Sequence, residues 1–204
     1  MKYLAHISED GIREQTVLEH SRNVAELAGK FADRFHAGSW GYCCGMMHDI
    51  GKHSQAFQLR LKGGPAVDHS TAGAKELNRK KGFHALAAYC TAGHHAGLPD
   101  GGEKADSPGA ATLQGRLKKN VPEYGDYQKE IAIPELENPA VKMIGKGGFT
   151  VSFFLRMIYS CLVDADFLDT EQFMKDGDTA REPEGISEKH LEKLLAYVGG
   201  WLNN

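Results

Sequence analysis

Residues 16–31 read Thr16-Val17-Leu18-Glu19-His20-Ser21-Arg22-Asn23-Val24-Ala25-Glu26-Leu27-Ala28-Gly29-Lys30-Phe31. Thr16 followed three residues later by Glu19 is a capping box, in which each side chain answers the other's free backbone N–H. Val17, Val24, Leu27, Ala28 and Phe31 then fall on one helical face, and His20 falls on it with them. The stretch predicts a helix that buries one side and carries an imidazole inward. Similar signals recur outward from it. Residues 39–49 predict a short helix stopped by Gly51 and weakened by Gly41 and Gly45. Ser54 caps a short piece reaching 61, and Gly63-Gly64-Pro65 breaks the chain. Asp68 or Ser70 opens a helix through 80, closed by Gly82, and residues 83–93 predict another. Residues 149–173 carry the strongest helical pattern. Ser187 caps the last helix, with Leu191, Leu194, Leu195, Val198 and Leu202 as its apolar face. No internal repeat and no convincing strand alternation interrupts this series. The expected fold class is all-α, a single helical domain over 1–204 with about six or seven helices and its site in the bundle core.

From 97 to 148 the pattern fades. This stretch holds five of the seven prolines (Pro99, Pro108, Pro122, Pro134 and Pro139), so an irregular, partly mobile lobe is expected, with short helices near 110–119 and 124–130. The whole chain of 204 residues is long enough to bury roughly 70% of its unfolded surface without staples. It is 41% hydrophobic and 25% charged, which excludes disordered and collagenous classes. Its 24 Lys+Arg against 27 Asp+Glu leave a net charge of −3, which argues against a basic binder of duplex nucleic acid. Cys43, Cys44, Cys90 and Cys161 form no CxxC pair, which fits reduced thiols and a cytoplasmic setting. Charged residues break up the first thirteen positions, so no signal-peptide core is expected there. No run approaches the roughly 18 apolar residues of a membrane span.

Ten histidines are the compositional excess. His6, His36, His53, His84 and His190 sit alone beside polar or loop residues and are expected in surface or capping roles. The other five differ. His20 lies in an apolar stripe. His48-Asp49 follows Met46-Met47 at a helix end, and a buried carboxylate needs a partner for its charge. His69 opens one helix and His94-His95 closes another. Asp164 and Asp166 lie inside the apolar run 161–168. Asp166 shares a stripe with Val151, Leu155, Ile158 and Leu162, while Asp164 steps with Ser160 and Met157 on a neighbouring, partly apolar face and stands as the alternative. Five imidazoles with two or three carboxylates exceed one tetrahedral zinc site. They suffice for two divalent transition-metal ions sharing a carboxylate, with Mn, Fe, Co or Ni favoured over Mg by the nitrogen-rich set. Lys52 lies just beyond His48-Asp49, within reach either of a substrate phosphate or of a helix C-terminus.

His48-Asp49-Ile50-Gly51-Lys52 with Ser54-Gln55-Ala56-Phe57-Gln58 resembles the HD nuclease of type I CRISPR systems, within the HD phosphohydrolase superfamily. So do Asp68-His69-Ser70-Thr71-Ala72-Gly73-Ala74, Gly93-His94-His95-Ala96-Gly97-Leu98-Pro99, and Ser160-Cys161-Leu162-Val163-Asp164-Ala165-Asp166 with Thr170-Glu171. The blocks run from Ala5-His6 to Glu171. The resemblance implies a metal-dependent endonuclease and exonuclease acting on single-stranded DNA in antiviral defence. It implies partnership with a superfamily 2 helicase, in cis or in trans, and recruitment to a CRISPR surveillance complex; the lack of an apolar span leads us to expect no membrane partner. It places first-site ligands at His20, His48, Asp49 and Asp166, and second-site ligands at His69, His94 and His95 with Asp49 bridging. Asp49 and Lys52 are the candidate catalytic residues. No GxxxxGK[ST] loop is present, so ATPase activity is not expected of this chain. Its end at Trp201-Leu202-Asn203-Asn204 suits a domain of a longer chain or a separate subunit. Arg60, Lys62, Arg116, Lys118 and Lys119 are candidate strand contacts or ordinary solvated charges. The alternatives are an HD-type nucleotide phosphohydrolase and a catalytically inactive HD docking module.

Overall fold

The computed structural model describes residues 2–145, 147–175 and 188–202; in the last stretch the described side chains are those of 191–197 and 200. The chain is helical throughout its core. Helices α1 (Val17–Asp33), α2 (Gly38–Met47), α4 (Ser70–Lys80), α5 (Phe83–Gly93) and α7 (Gly148–Met174) make the bundle, with short α3 (Gln55–Arg60) and α6 (Leu113–Leu117) and a terminal α8 (Glu188–Leu202). The Thr16–Glu19 capping box forms as read: the Glu19 backbone N–H donates to Thr16 Oγ1 at 3.1 Å and the Thr16 N–H donates to Glu19 Oε2 at 2.8 Å. Ser54 caps α3. At the start of α4, Asp68 carries the cap, accepting from Thr71 N–H at 3.1 Å and Thr71 Oγ1 at 2.9 Å, so that His69 occupies the first position outside the helix.

α1 lies along both α2 and α7, α4 lies along α5, and α2 and α5 both touch α7. The core fills between them with Val24, Ala28, Trp40, Met47, Leu77 and Ile158, all 1% exposed or less. The α1–α2 contact is unusually close because Gly41 and Gly45 face Ala28 and Ala25 backbone to backbone. α2 ends at Met47, two residues earlier than expected, and the chain continues through a 3-10 turn, Ile50–His53.

One feature departs from the sequence reading. Strands β1 (Leu4–Ile7) and β2 (Glu14–Thr16) form an antiparallel pair, with His6 opposite Gln15. Four and three residues are too short to display alternation, and tertiary hydrogen bonds hold the pair in place. The Gln58 side chain brackets Leu4, at 3.1 Å from its N–H and 3.0 Å from its carbonyl. Arg13 donates to the Phe173 carbonyl at 2.7 Å and so ties the hairpin to the end of α7. The stretch 97–148 carries α6 and a 3-10 turn, Gly125–Lys129, and is pinned to the bundle at several points. Trp40 Nε1 donates to Glu137 O at 2.9 Å, His84 Nε2 to Pro134 O at 2.8 Å, and Tyr124 Oη to Glu76 Oε1 at 2.8 Å. On α8 the side chains of Leu191, Leu194 and Leu195 are exposed; the expected cap at Ser187 and the side chains of Val198 and Leu202 lie outside the described residues. All four cysteines are buried and free. Among the described residues no helix is long and apolar enough to cross a membrane.

Candidate metal centre

The ends of three helices, the first turn of α1 and the interior of α7 meet at one buried point. His48 is the residue that terminates α2, and its Nδ1–H donates to Gly45 O at 2.7 Å, satisfying a carbonyl of the last turn. His94 does the same for α5, donating to Thr91 O at 2.8 Å. His69, before α4, donates to Val67 O at 3.2 Å. His20, on the inner face of α1, donates from Nδ1 to Asp169 Oδ2 at 2.6 Å. In all four rings Nδ1 is spent on an oxygen, which fixes the tautomer and turns the Nε2 lone pair inward. Asp49, which opens the 3-10 turn, stands at the centre. Gly51 lets the chain before α4 press against that turn: a Cβ there would fall 2.2 Å from His69 O.

The two oxygens of Asp49 face two different groups. Oδ2 lies 3.4 Å from His20 Nε2 and 3.3 Å from His48 Nε2; Oδ1 lies 3.4 Å from His69 Nε2 and 3.5 Å from His94 Nε2. Asp166, on α7, adds Oδ1 at 3.2 Å from His20 Nε2 and 3.7 Å from His48 Nε2. His95 brings its Nε2 to 2.8 Å from that of His69. One donor atom from each of Asp49, His69, His94 and His95 lies within 4.8 Å of the others, and so does one from each of His20, His48 and Asp49.

These donors fit a divalent cation. Asp49 Oδ1 and His94 Nε2 are buried with no hydrogen-bond partner, and a buried orphan of this kind is costly. His20 Nε2 and His48 Nε2 face each other at 3.2 Å, lone pair to lone pair, unless a proton or a metal ion lies between them. Burial pushes both imidazoles down, but the carboxylates outweigh it. Hydrogen bonds to Asp166, Asp169 and Asp49 raise His20 to about 9, and the Asp49 charge with hydrogen bonds to Asp166 and Asp49 raises His48 to about 10. Against the upward push of burial, the same contacts hold Asp166 below the usual carboxylate range, and the charges of His48 and Lys52 hold Asp49 well below it. Burial and then the His94 charge lower His95 to about 4, so its ring is uncharged near neutrality.

The structure therefore brings together all seven candidate ligands. Lys52 joins them, 5% exposed, with Nζ 2.6 Å from Asp49 Oδ2. Asp164 is exposed and takes no part in the cluster. Two of the five histidines expected in surface or capping roles are not there: His84 is buried against Pro134 O, and the hairpin carries His6 to the cluster, with its ring centroid 4.6 Å from that of His20. His53 is buried but caps the 3-10 turn, its Nδ1–H donating to Ile50 O at 3.2 Å, with Nε2 3.2 Å from Glu130 Oε2. His36 is exposed, and the His190 side chain lies outside the described residues. Three of the five candidate strand-contacting cations are engaged within the fold. Arg116 donates to Ser70 Oγ at 3.2 Å and to the Ala92 carbonyl, Lys118 reaches the carbonyls of Lys104 and Asp106, and Lys119 pairs with Asp68 at 3.4 Å. Arg60 and Lys62 are exposed. Sequence reasoning missed Asp169 and its holders: Gln15 Nε2 donates to Oδ2 at 2.8 Å and Asn23 Nδ2 to Oδ1 at 2.7 Å. The available signal was its place three residues after Asp166 on the same buried helix.

A helical core that turns imidazole nitrogens and two ionised carboxylates onto one buried point defines the centre of a metal-dependent hydrolase. Residues 17–131 match the HD domain family, more than half of the chain, and the protein belongs to that family of metal-dependent phosphohydrolases. The hairpin strand with His6 and the helix with Asp166 lie outside the matched stretch. Among curated proteins, none matches the chain.

Proposed function

We propose that the protein is a nuclease that hydrolyses phosphodiester bonds of single-stranded DNA, both within strands and from their ends, with two transition-metal ions. His20, His48, Asp49 and Asp166 hold one ion; His69, His94, His95 and the second oxygen of Asp49 hold the other. The observation that carries this reading is the division of Asp49 between two imidazole groups, Oδ2 to one and Oδ1 to the other. When bound, the ions supply a water acidic enough to act as nucleophile near neutral pH and positive charge for the phosphate oxygens. The chain's own residues do the rest. Asp169 keeps the His20 Nδ1 proton in place, so that Nε2 stays a donor atom. Lys52 sets an ammonium beside the cluster, where it neutralises an oxygen of a phosphate seated there. Burial of His20, His48 and Asp49 lowers the local dielectric and strengthens each of these contacts.

The choice of single-stranded DNA rests on the blocks around His48, His69, His94 and Asp166 that resemble the CRISPR nuclease. The same resemblance supports work in the cytoplasm beside a superfamily 2 helicase, in cis or in trans, delivered by a CRISPR surveillance complex. Manganese, iron, cobalt or nickel suits the nitrogen-rich set. The deciding experiment is a metal series on circular single-stranded DNA, relaxed duplex circles and free nucleotides. Manganese, cobalt or nickel should release fragments from the single-stranded circle, spare the duplex, and lose the effect in chelator. Cleavage undiminished in excess chelator excludes metal dependence. Hydrolysis of nucleotides with intact circles identifies a nucleotide phosphohydrolase instead, and no hydrolysis with metal bound identifies a docking module.

Asp169→Asn provides a separate check on the ligand assignment. Loss of the carboxylate that orients His20 should weaken metal binding by about 10–100-fold, read by calorimetric titration. Unchanged affinity would mean that His20 is not a ligand.

A further inference from the structure

We propose that His6 is a positioning residue for Lys52, and that Gln15 sets the tautomer it needs. The role rests on the nuclease reading for its kinetic consequence, but the geometry stands apart from it. Asp169 Oδ2 accepts from the Gln15 amide, which turns its Nε2 toward that oxygen at 2.8 Å, and Oδ1 accepts from Asn23. That leaves Gln15 Oε1 facing His6 Nδ1 at 2.8 Å. A carbonyl oxygen accepts only, so His6 Nδ1 carries the proton. The bare nitrogen is then Nε2, and it lies 3.4 Å from Lys52 Nζ. A single carboxylate thereby orients the metal-facing nitrogen of His20 directly and the lysine-facing nitrogen of His6 through one amide.

Lys52 needs this second acceptor. Its ammonium is almost completely buried and pairs with Asp49 Oδ2 at 2.6 Å, with the Phe57 ring centroid 5.3 Å away. Asp49 Oδ2 is also the oxygen that faces His20 and His48. For Lys52 to turn from Asp49 toward a substrate phosphate, another acceptor must keep the ammonium at the cluster. His6 is placed to do so. It sits half-buried on the hairpin, edge-on to the His20 ring, and its backbone is paired with Gln15. The hairpin is thereby a wall of the site, which explains why Gln58 and Arg13 clamp it to the bundle.

Three substitutions separate the contacts. His6→Phe keeps the ring and removes both nitrogens. His6→Gln keeps an acceptor at the position of Nε2. His6→Asn keeps a donor toward Gln15 but cannot reach Lys52. In the metal-loaded protein acting on single-stranded DNA, His6→Phe and His6→Asn should raise KM about tenfold with kcat within about threefold, and His6→Gln should restore KM. Metal per chain should be unchanged in all three. A KM unchanged in His6→Phe, equal rescue by Asn and Gln, or metal lost from His6→Phe would overturn the proposal. Nitrogen NMR of the imidazole reads the tautomer without substrate. His6 should carry its proton on Nδ1 in the native protein and move it to Nε2 in Gln15→Leu, and the Lys52 ammonium protons should exchange faster in His6→Phe than in His6→Gln. If the native protein cleaves no DNA yet shows these signals, the nuclease reading fails and the positioning of Lys52 by His6 stands. If it cleaves DNA and His6 carries its proton on Nε2, the positioning proposal fails and the nuclease reading stands.

Discussion

Asp49→Ala is expected to strip metal from both imidazole groups at once and to reduce hydrolysis by on the order of a thousandfold or more. The double consequence follows because Asp49 faces both groups, Oδ2 toward His20 and His48 and Oδ1 toward His69 and His94. His95→Ala should lower occupancy of the second group alone, since its Nε2 lies against that of His69. The metal-free Asp49→Ala protein should also be less stable. It leaves the Lys52 ammonium, 6% exposed at the side chain, without its carboxylate, and breaking a buried ion pair from one side costs about 3–5 kcal/mol. Far-ultraviolet circular dichroism should still show a helical protein, because the apolar core between α1, α2, α4 and α7 does not pass through Asp49. Elemental analysis after desalting, beside a cleavage assay, reads the result. One ion retained per chain with the His69 group loaded as in the native protein would show that the carboxylate is not shared.

What was legible in the chain was what local pattern encodes. The capping box fixed the start of α1, the run from Phe83 to Gly93 is α5, and the buried stripe through Leu155, Ile158 and Leu162 is the inner face of α7. The cluster residues stood out because each is a polar group where an apolar one belongs: His20 in a stripe, His48, His69 and His94 at helix ends, and Asp166 in a buried run. The residues that hold them were invisible for the opposite reason. Gln15 and Asp169 look like ordinary surface polar residues, and they are buried only because His20 meets Asp169 across 149 positions of chain and Gln15 meets it across 154. His6 entered the site on a pair of strands too short to announce themselves. His53 and His84 owe their burial to partners in the irregular stretch, Glu130 and Pro134, whose path no periodicity describes.

The glycines of α2 show most plainly how a local rule can point the wrong way. By helix propensity Gly41 and Gly45 weaken the helix, and Gly45→Ala should stabilise it by about 1 kcal/mol. The packing reverses the sign. A Cβ on Gly45 would lie 2.4 Å from Ala25 Cα and 2.5 Å from Ala25 N, and a Cβ on Gly41 would lie 2.2 Å from Ala28 O. These are backbone atoms of a neighbouring helix, so no side chain can swing aside and the helices must separate. Overpacking of this kind typically costs 1–3 kcal/mol and occasionally more. With each kcal/mol worth roughly 2–4 °C in a chain of this size, Gly45→Ala should lower the melting temperature by about 2–12 °C. The displacement should reach the site, because His48 follows Gly45 by three residues, its Nδ1 is bonded to the Gly45 carbonyl, and its Nε2 must stay 3.2 Å from that of His20 on α1. Weaker metal binding should therefore accompany the lower melting temperature. Gly148→Ala is the matching control: it lies in the first turn of α7 with nothing within 4 Å of the added carbon, and it should be neutral or slightly stabilising. A higher melting temperature in Gly45→Ala would mean that α1 and α2 do not cross at this distance, and the convergence of His20 and His48 would lose its structural basis.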